Sequence, residues 1–469
     1  MIYYSLKKDY GIRTADNYGE LFQIFNNSTI ATLSSTSLWI LLKLDGQHSV
    51  SEIILALQNR FLSISQIEIM DRVNTVISTL QPYLQGSTAK SEICIRPIIK
   101  KTDIRHKKML MPVHMPIPQI ITFNLTDICP RNCVYCYAGA HYSKNKDTKN
   151  RFLSPDRFDE IVSECKDMGV PNIELSGGDP FKHENILDYI KIVLKYGYNN
   201  CILSTKSYIS KNIAGEIKKL GLSTIQISLD SADEKIADYL MGVPNSYKEI
   251  VESINNLISV GLKVNVNCVL TSYNTGSAYE LIPFLDNLGV NELSFNLYGF
   301  SCGRHDKKLY PSLESIEMFD EQINQTDMTR HNIKLRIPNL DRNFIRSKFS
   351  SNPYTRHAYR SFCGALRNRL NVTSTGRVSC CAFIPVELAE VNDLIFGDLH
   401  GQSIREIWEN ERIKSFVSID KEKYKNTECY DCKDFEQCQP KMCVLRSIIS
   451  QGKPYKKDPM CKYNEMNFM

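Results

Sequence analysis

No apolar run in this chain reaches the length of a bilayer span. Ser37 to Leu44 is too short, and Met1 to Tyr10 is followed by no stretch of signal-peptide length. The 469 residues carry a net charge of only +5, and the signs alternate along most of the chain, so no concentrated basic face marks a nucleic-acid partner. No internal repeat or low-complexity tract appears. These absences lead to the expectation of a cytoplasmic protein with neither a membrane nor a nucleic-acid partner. Cysteine is abundant, at 16 residues, and in a reducing compartment clustered cysteines bind metal more often than they pair as disulfides.

The length is too great for one ordinary core and indicates two or three domains. Residues 1–86 read as a small unit: β-type stretches at Tyr10 to Arg13, Glu20 to Phe25 and Thr29 to Leu33, then helical segments at Ser37 to Leu44, Val50 to Phe61 and Ile67 to Leu84, broken at Pro82. That set suggests a winged helix. Residues 87–118, with Lys100, Lys101, Arg105, Lys107 and Lys108 before Pro112, Pro116 and Pro118, read as a linker, either a solvated surface or a contact for an acidic peptide.

From residue 119 strands and helices alternate in six βα-type units up to residue 304, the pattern of a parallel sheet with outer helices. Residues 305–362 bridge to a loop-rich, cysteine-rich segment at 363–469. Parallel strands place their ligand sites in the loops after their carboxyl ends. The first such loop carries Cys129, Cys133 and Cys136 in TDICPRNCVYCYAG. Three thiolates on a 4Fe-4S cube leave one iron open to a substrate or cofactor, whereas a zinc knuckle lacks a fourth ligand at finger-like spacing.

This C-x3-C-x2-C loop after a first strand resembles the radical S-adenosylmethionine (SAM) superfamily over Gln119 to Arg304. The resemblance implies an α/β fold with a partial (β/α)6 barrel. It also implies a cluster on the three cysteines that reductively cleaves SAM to a 5'-deoxyadenosyl radical, which then abstracts a substrate hydrogen. Tyr135 would lie against the adenine. Ser176-Gly177-Gly178-Asp179-Pro180 resembles the family's GGE-type motif, whose glycines let the backbone approach the SAM amino group; Asp179 stands where Glu is usual and reaches less far. Ser204, Thr205, Ser228, Asp230 and Asn267 occupy strand positions from which the family contacts SAM. Leu240-Met241-Gly242 stands where relatives often carry Arg before Gly.

Cys363, Gly376 and Cys381, then Cys429-x2-Cys432-x5-Cys438-x4-Cys443 and Cys461, resemble the SPASM extension, with a four-residue gap before Cys443 in place of the usual three. The resemblance implies two auxiliary 4Fe-4S clusters, three clusters in all. Cys363, Cys381 and Cys443 would hold one, and Cys429, Cys432, Cys438 and Cys461 the other. Arg369 stands where some relatives supply a fourth ligand to the first; an open iron, Cys380 or another group remain the alternatives. An open iron would accept a substrate thiolate. Cys94, Cys165, Cys201 and Cys268 read as small buried hydrophobes, and Cys302, after the sixth strand near the expected site, reads as structural.

The front unit resembles the recognition element that binds leader peptides, by adding the peptide as a strand to a sheet edge. Together these features resemble the thioether-forming maturases of sactipeptides and ranthipeptides. The expected partners are a precursor peptide, bound by its leader, and an external one-electron donor such as flavodoxin or ferredoxin. Carbon-carbon crosslinking, a DNA-binding regulator with redox-sensing clusters and a non-catalytic electron-transfer protein are the rival readings.

Overall fold

The structure is a computed structural model. It describes residues 2–7, 9–14, 18–23, 29–60, 65–90, 98–100, 114–115, 117–145, 151–199, 201–299, 304, 306–336, 363–418, 420–438, 442–458 and 461. Phe25, Phe61, Cys94, Lys101, Arg105, Lys107, Lys108, Pro112, Pro116, Cys302 and residues 337–362 of the expected bridge lie outside the described residues. The chain divides into two compact units, Met1–Gln119 and Ile120–Met469.

The first unit holds β1 (Tyr3–Leu6), β2 (Tyr10–Thr14), β3 (Tyr18–Gln23), β4 (Thr29–Ser34), α1 (Ser35–Lys43), β5 (Asp45–Ser49), α2 (Val50–Arg60), α3 (Gln66–Leu80), β6 (Leu84–Ser87) and β7 (Ile98–Lys100). The three helices fall where apolar periodicity predicts them. Ser49 and Glu52 cap α2 reciprocally, the Ser49 amide donating to the Glu52 carboxylate at 2.7 Å and the Glu52 amide to the Ser49 hydroxyl at 3.3 Å. β1, β5 and β6 were not legible. They form an antiparallel β5-β1-β6 sheet with Tyr3 opposite both Ser49 and Ser87. Asp45-Gly46 opens β5, because pairing with β1 satisfies backbone groups that a local pattern cannot reveal.

The second unit is built on one sheet. Its strands are β8 (Ile120–Asn124), β9 (Ile128–Cys129) and β10 (His141–Tyr142), which pair only with each other, then β11 (Asn172–Ser176), β12 (Ile202–Thr205), β13 (Thr224–Ser228), β14 (Lys263–Leu270), β15 (Glu292–Leu297), β16 (Lys334–Arg336), β17 (Arg369–Val372), β18 (Arg377–Ser379) and β19 (Ile395–Asp398). The order is β16-β15-β14-β13-β12-β11-β8-β17-β18-β19, parallel from β16 to β17 and antiparallel beyond. The sheet therefore runs through the boundary expected at 363, since Arg369 pairs with Ile120 and Val372 with Phe123.

Connecting helices are α4 (Pro155–Met168), α5 (Ile186–Lys195), α6 (Lys211–Leu220), α7 (Glu234–Met241), α8 (Ser246–Ser259), α9 (Leu281–Leu288) and α10 (Leu313–Gln325). In β11, β13 and β14 every second residue is apolar and buried, Ile173, Ile227 and Val266 among them, and Leu203 and Phe295 hold the same row in β12 and β15. The alternate row carries Glu174, Ser204, Gln226, Asn267 and Asn296, all polar and half-buried. Crossover helices cover the first row, and the second lines an inner face. Cys165, Cys201 and Cys268 are buried within this frame, as expected of small hydrophobes. Among the described residues no helix is long and apolar enough to cross a membrane.

Candidate active site at the cysteine loop

The loop leaving β8 turns back on itself at the carboxyl ends of the strands. β9 pairs in parallel with β10, with Cys129 opposite Tyr142. Cys129 and Cys133 are buried and Cys136 is half-buried. The loop rests on α7: the Asn132 amide donates to the Met241 carbonyl at 2.9 Å and the Val134 amide to the Leu240 carbonyl at 3.1 Å. Gly242 ends that helix at φ +66, and a Cβ there would meet the Asn132 oxygen at 2.2 Å. Leu240-Met241-Gly242 thus seats the loop through its backbone.

Arg304 binds the loop from another side. Its amide donates to the Cys136 carbonyl at 2.8 Å, and its guanidinium to the Cys133 and Ala140 carbonyls, each at 2.9 Å. No local sequence signal identifies this role, because Arg304 stands 171 residues from Cys133.

Gly177 and Gly178 lie directly against the start of the loop. A Cβ on Gly177 would fall 2.4 Å from the Thr126 oxygen, and one on Gly178 2.4 Å from the Ile128 oxygen. The Gly178 amide donates to Thr126 at 2.6 Å and the Asp179 amide to Ile128 at 2.8 Å. The absence of side chains is therefore already required by packing of one loop on the other.

Asp179 is buried, and its carboxylate accepts from Thr205 Oγ1 at 2.9 Å, the Lys206 amide at 2.6 Å, Ser207 Oγ at 2.8 Å and the Phe181 amide at 3.0 Å. Burial pushes its pKa up, and these donors offset that only in part. Asp179 and Thr205, both expected at the cofactor, bond to each other, so Asp179 fixes the turn after β12.

That turn delivers Lys206, which the sequence reading did not single out. Its Nζ lies 3.2 Å from the Asp230 carboxylate and 3.5 Å from Cys133 Sγ, hydrogen-bonds the Tyr135 hydroxyl, and stands 4.7 Å from the Tyr135 ring centroid. Tyr135 also donates to Asp230, which in turn accepts from the Val269 amide at 2.8 Å. Burial works against the Lys206 charge, but Asp230, Cys133 and Tyr135 hold its pKa well above the ordinary lysine value. Burial and the Asp230 charge raise that of Tyr135. Position alone could have pointed to Lys206, since it follows the end of a strand whose neighbours carry the site.

The other expected contacts lie on the inner face. Ser204 accepts from Gln226 at 3.0 Å, and Asn267 accepts from Asn296 at 2.5 Å. Ser228 ends β13 and is half-buried, with Asn267 opposite it on β14.

The second cysteine set forms groups in the same compact unit. Burial, and then Cys443, push the Cys363 thiol up, with Arg367 and Arg446 nearby countering. Arg446 makes an ion pair with buried Asp458 at 2.8 Å, and Asp458 also accepts from the Cys443 amide at 3.1 Å. Burial, Cys461 and Cys432 push the Cys429 thiol up to about 11, and Tyr424 lies within the influence of both Cys429 and Cys438.

Cys381 is half-buried. Its Sγ accepts from the Phe383 amide at 3.4 Å. Phe383 and Tyr137 pack edge to face with centroids 4.8 Å apart. Cys380 is buried. Arg369 turns to Glu174, 3.5 Å away.

Among the described residues no three His, Cys, Asp or Glu side chains converge on one point suited to a single ion. A cubane takes each thiolate on a different iron, so its ligands stand around it. Burial, Asp179 and Cys133 push the Cys129 thiol up, and burial does the same to Cys133. Thiols so disfavoured as free thiolates release their protons when a soft cation binds. The donor set therefore fits an iron-sulfur group.

Residues 123–301 match the profile of the radical SAM superfamily, and residues 363–433 that of the SPASM iron-sulfur cluster-binding domain. Among curated proteins, a probable GTP 3',8-cyclase of Sulfurisphaera tokodaii is 24% identical over 279 residues, spanning 58% of this chain and 84% of that one. The same-named protein of Saccharolobus solfataricus is 24% identical over 288 residues, 61% of this chain and 89% of that one. Among solved structures, Streptococcus suis SuiB bound to S-adenosylmethionine matches with TM-score 0.60 at 16% identity, over 97% of this chain and 99% of that one. SuiB bound to its precursor peptide SuiA matches with TM-score 0.60 at 17% identity, over 98% and 99%.

Proposed function

We propose that this chain, a radical SAM enzyme carrying a SPASM domain, matures a ribosomally synthesised precursor peptide, joining a cysteine sulfur to a carbon of another residue. Carbon-carbon crosslinking is the second outcome of the same chemistry. The observation that carries the sulfur reading is the position of Cys381: Phe383, whose amide donates to its Sγ, packs on Tyr137, the residue after Cys136, so the second cysteine set reaches the loop of the first. A substrate thiolate at an iron beside Cys381 would be close to the radical-generating loop. The likeness in fold to SuiB, solved with a precursor peptide, supports a peptide substrate.

In this reading Cys129, Cys133 and Cys136 hold the SAM-binding 4Fe-4S cluster. Cys363, Cys381 and Cys443 hold one auxiliary cluster, and Cys429, Cys432, Cys438 and Cys461 the other. When bound, cluster and SAM supply a one-electron cleavage whose carbon radical removes a substrate hydrogen. The protein supplies position. Tyr135 presents its ring with its hydroxyl held by Asp230 and Lys206, while Gly177, Gly178, Ser204, Ser228 and Asn267 offer backbone and side-chain polar groups to SAM. Asp179 and Thr205 act at one remove, by fixing the turn that carries Lys206.

We assign residues 1–86 to a winged-helix leader-recognition domain, 87–118 to a linker, 119–304 to a partial (β/α)6 barrel, 305–362 to a bridge and 363–469 to the SPASM domain. The β5-β1-β6 sheet supports strand addition of a leader. The enzyme would act in the cytoplasm with a flavodoxin or ferredoxin as electron donor.

The test is anaerobic reconstitution with SAM, reductant and the peptide encoded beside this gene, reading 5'-deoxyadenosine and peptide mass. Loss of two hydrogens together with a free thiol supports the thioether, and loss of two hydrogens with the thiol intact supports a carbon-carbon bond. Turnover of GTP with the peptide untouched overturns the peptide reading in favour of the activity for which the curated relatives are named.

A further inference from the structure

We infer that Lys206 is a redox-positioning residue, a fixed cation that hydrogen-bonds the Cys133 sulfur and makes the SAM-binding cluster easier to reduce. The backbone of Lys206 is held at both ends. Its amide donates to Asp179 at 2.6 Å, and its carbonyl accepts from Arg131 Nε at 2.9 Å. Arg131, buried between Cys129 and Cys133 in the sequence, is paired in turn with Glu249 at 2.7 Å. The lysine is thus locked to the cysteine loop it faces, and its side chain is only 13% exposed.

Besides Asp230 and the Tyr135 hydroxyl, the ammonium of Lys206 faces a thiol. Nζ lies 3.5 Å from Cys133 Sγ, about as near as it lies to the Asp230 carboxylate at 3.2 Å. An N–H directed at a cluster sulfur, and a buried positive charge beside it, both favour the cluster state that holds one more electron. Asp230 offsets part of that field, while its oxygens also accept from Tyr135 and the Val269 amide. The electron itself comes from the external one-electron donor, and Lys206 neither gains nor loses a proton.

This inference rests on Cys129, Cys133 and Cys136 being cluster ligands, and the experiment separates the two. Fully reconstituted enzyme is titrated potentiometrically without SAM, following by EPR the cluster whose signal changes when SAM is added. If Cys133→Ala keeps a SAM-responsive signal, the ligand assignment itself fails. With that assignment intact, Lys206→Met shifts the midpoint of this cluster to more negative potential and leaves the auxiliary clusters in place. Lys206→Arg restores most of the shift. In the parent, pulsed ENDOR in deuterated buffer detects an exchangeable deuteron coupled to the cluster, and Lys206→Met loses it. An unchanged midpoint in Lys206→Met overturns the inference. Should that variant fail to hold iron, Lys206→Gln, which keeps an N–H but no charge, is read by the same criterion and gives a midpoint below that of the parent.

Discussion

The carbonyl oxygen of Asn132 lies 2.2 Å from the position a β-carbon would take on Gly242. The cysteine loop and the end of α7 therefore touch backbone to backbone, and Gly242 is the residue that permits it. Gly242→Ala adds both a clash and a strained positive φ, worth about 1–3 kcal/mol. The apo protein should melt earlier and retain less iron after reconstitution. Gly221→Ala is the control, since its φ of +99 is strained but a Cβ there meets nothing within 4 Å, and its iron content should match the parent.

Arg304 ties three carbonyls of the loop. Arg304→Ala removes two charge-assisted bonds, each worth about 1.5–3 kcal/mol. Amide exchange over residues 133–141 should accelerate and a chelator should strip iron faster. Unchanged protection in that segment would show that the loop holds its shape without the arginine.

Arg446 and Asp458 form a buried ion pair beside Cys443. Removing one partner strands the other charge, at a cost of about 3–5 kcal/mol. Denaturant unfolding should therefore find Asp458→Asn markedly destabilised, and Arg446→Met/Asp458→Asn less so than the sum of the two single variants. Strict additivity would mean that the pair is not coupled.

Asp286 of α9 accepts from the Ile333 amide at 3.0 Å, the Asn332 amide at 2.9 Å and His331 at 3.0 Å, pinning the approach to β16. Burial raises its pKa, but the His331 and backbone bonds outweigh that and leave it lowered. A depressed carboxylate contributes stability that is present above its unfolded value, near about 3.9, and is lost as pH falls through the folded value. The acid limb of the stability profile should be shallower in Asp286→Asn than in the parent. An identical acid limb would remove Asp286 from the linkage.

Much of the frame was legible locally. α4 follows from Ser154, which caps it, with Pro155 at its first position, and the βα rhythm gave the strands that carry the site. The short strand β1 has no amphipathic signal of its own and exists because β5 and β6 complete its hydrogen bonds. β17 was equally hidden, since its place beside β8 depends on a pairing across some 250 residues of sequence.

The site divides along the same line. Spacing marked Cys129, Cys133 and Cys136, because thiolates that share a cluster must lie within one irregular loop, and the resemblance to the GGE-type motif marked the glycines at 177 and 178 for close approach. Only the folded chain revealed that those glycines meet the Thr126 and Ile128 carbonyls, that Asp179 is occupied by Thr205, and that Lys206 and Arg304 face the loop. Residue type and spacing determine which chemistry a loop can support. Which charge stands beside a given sulfur depends on contacts between strands far apart in sequence, and only the tertiary structure decided that.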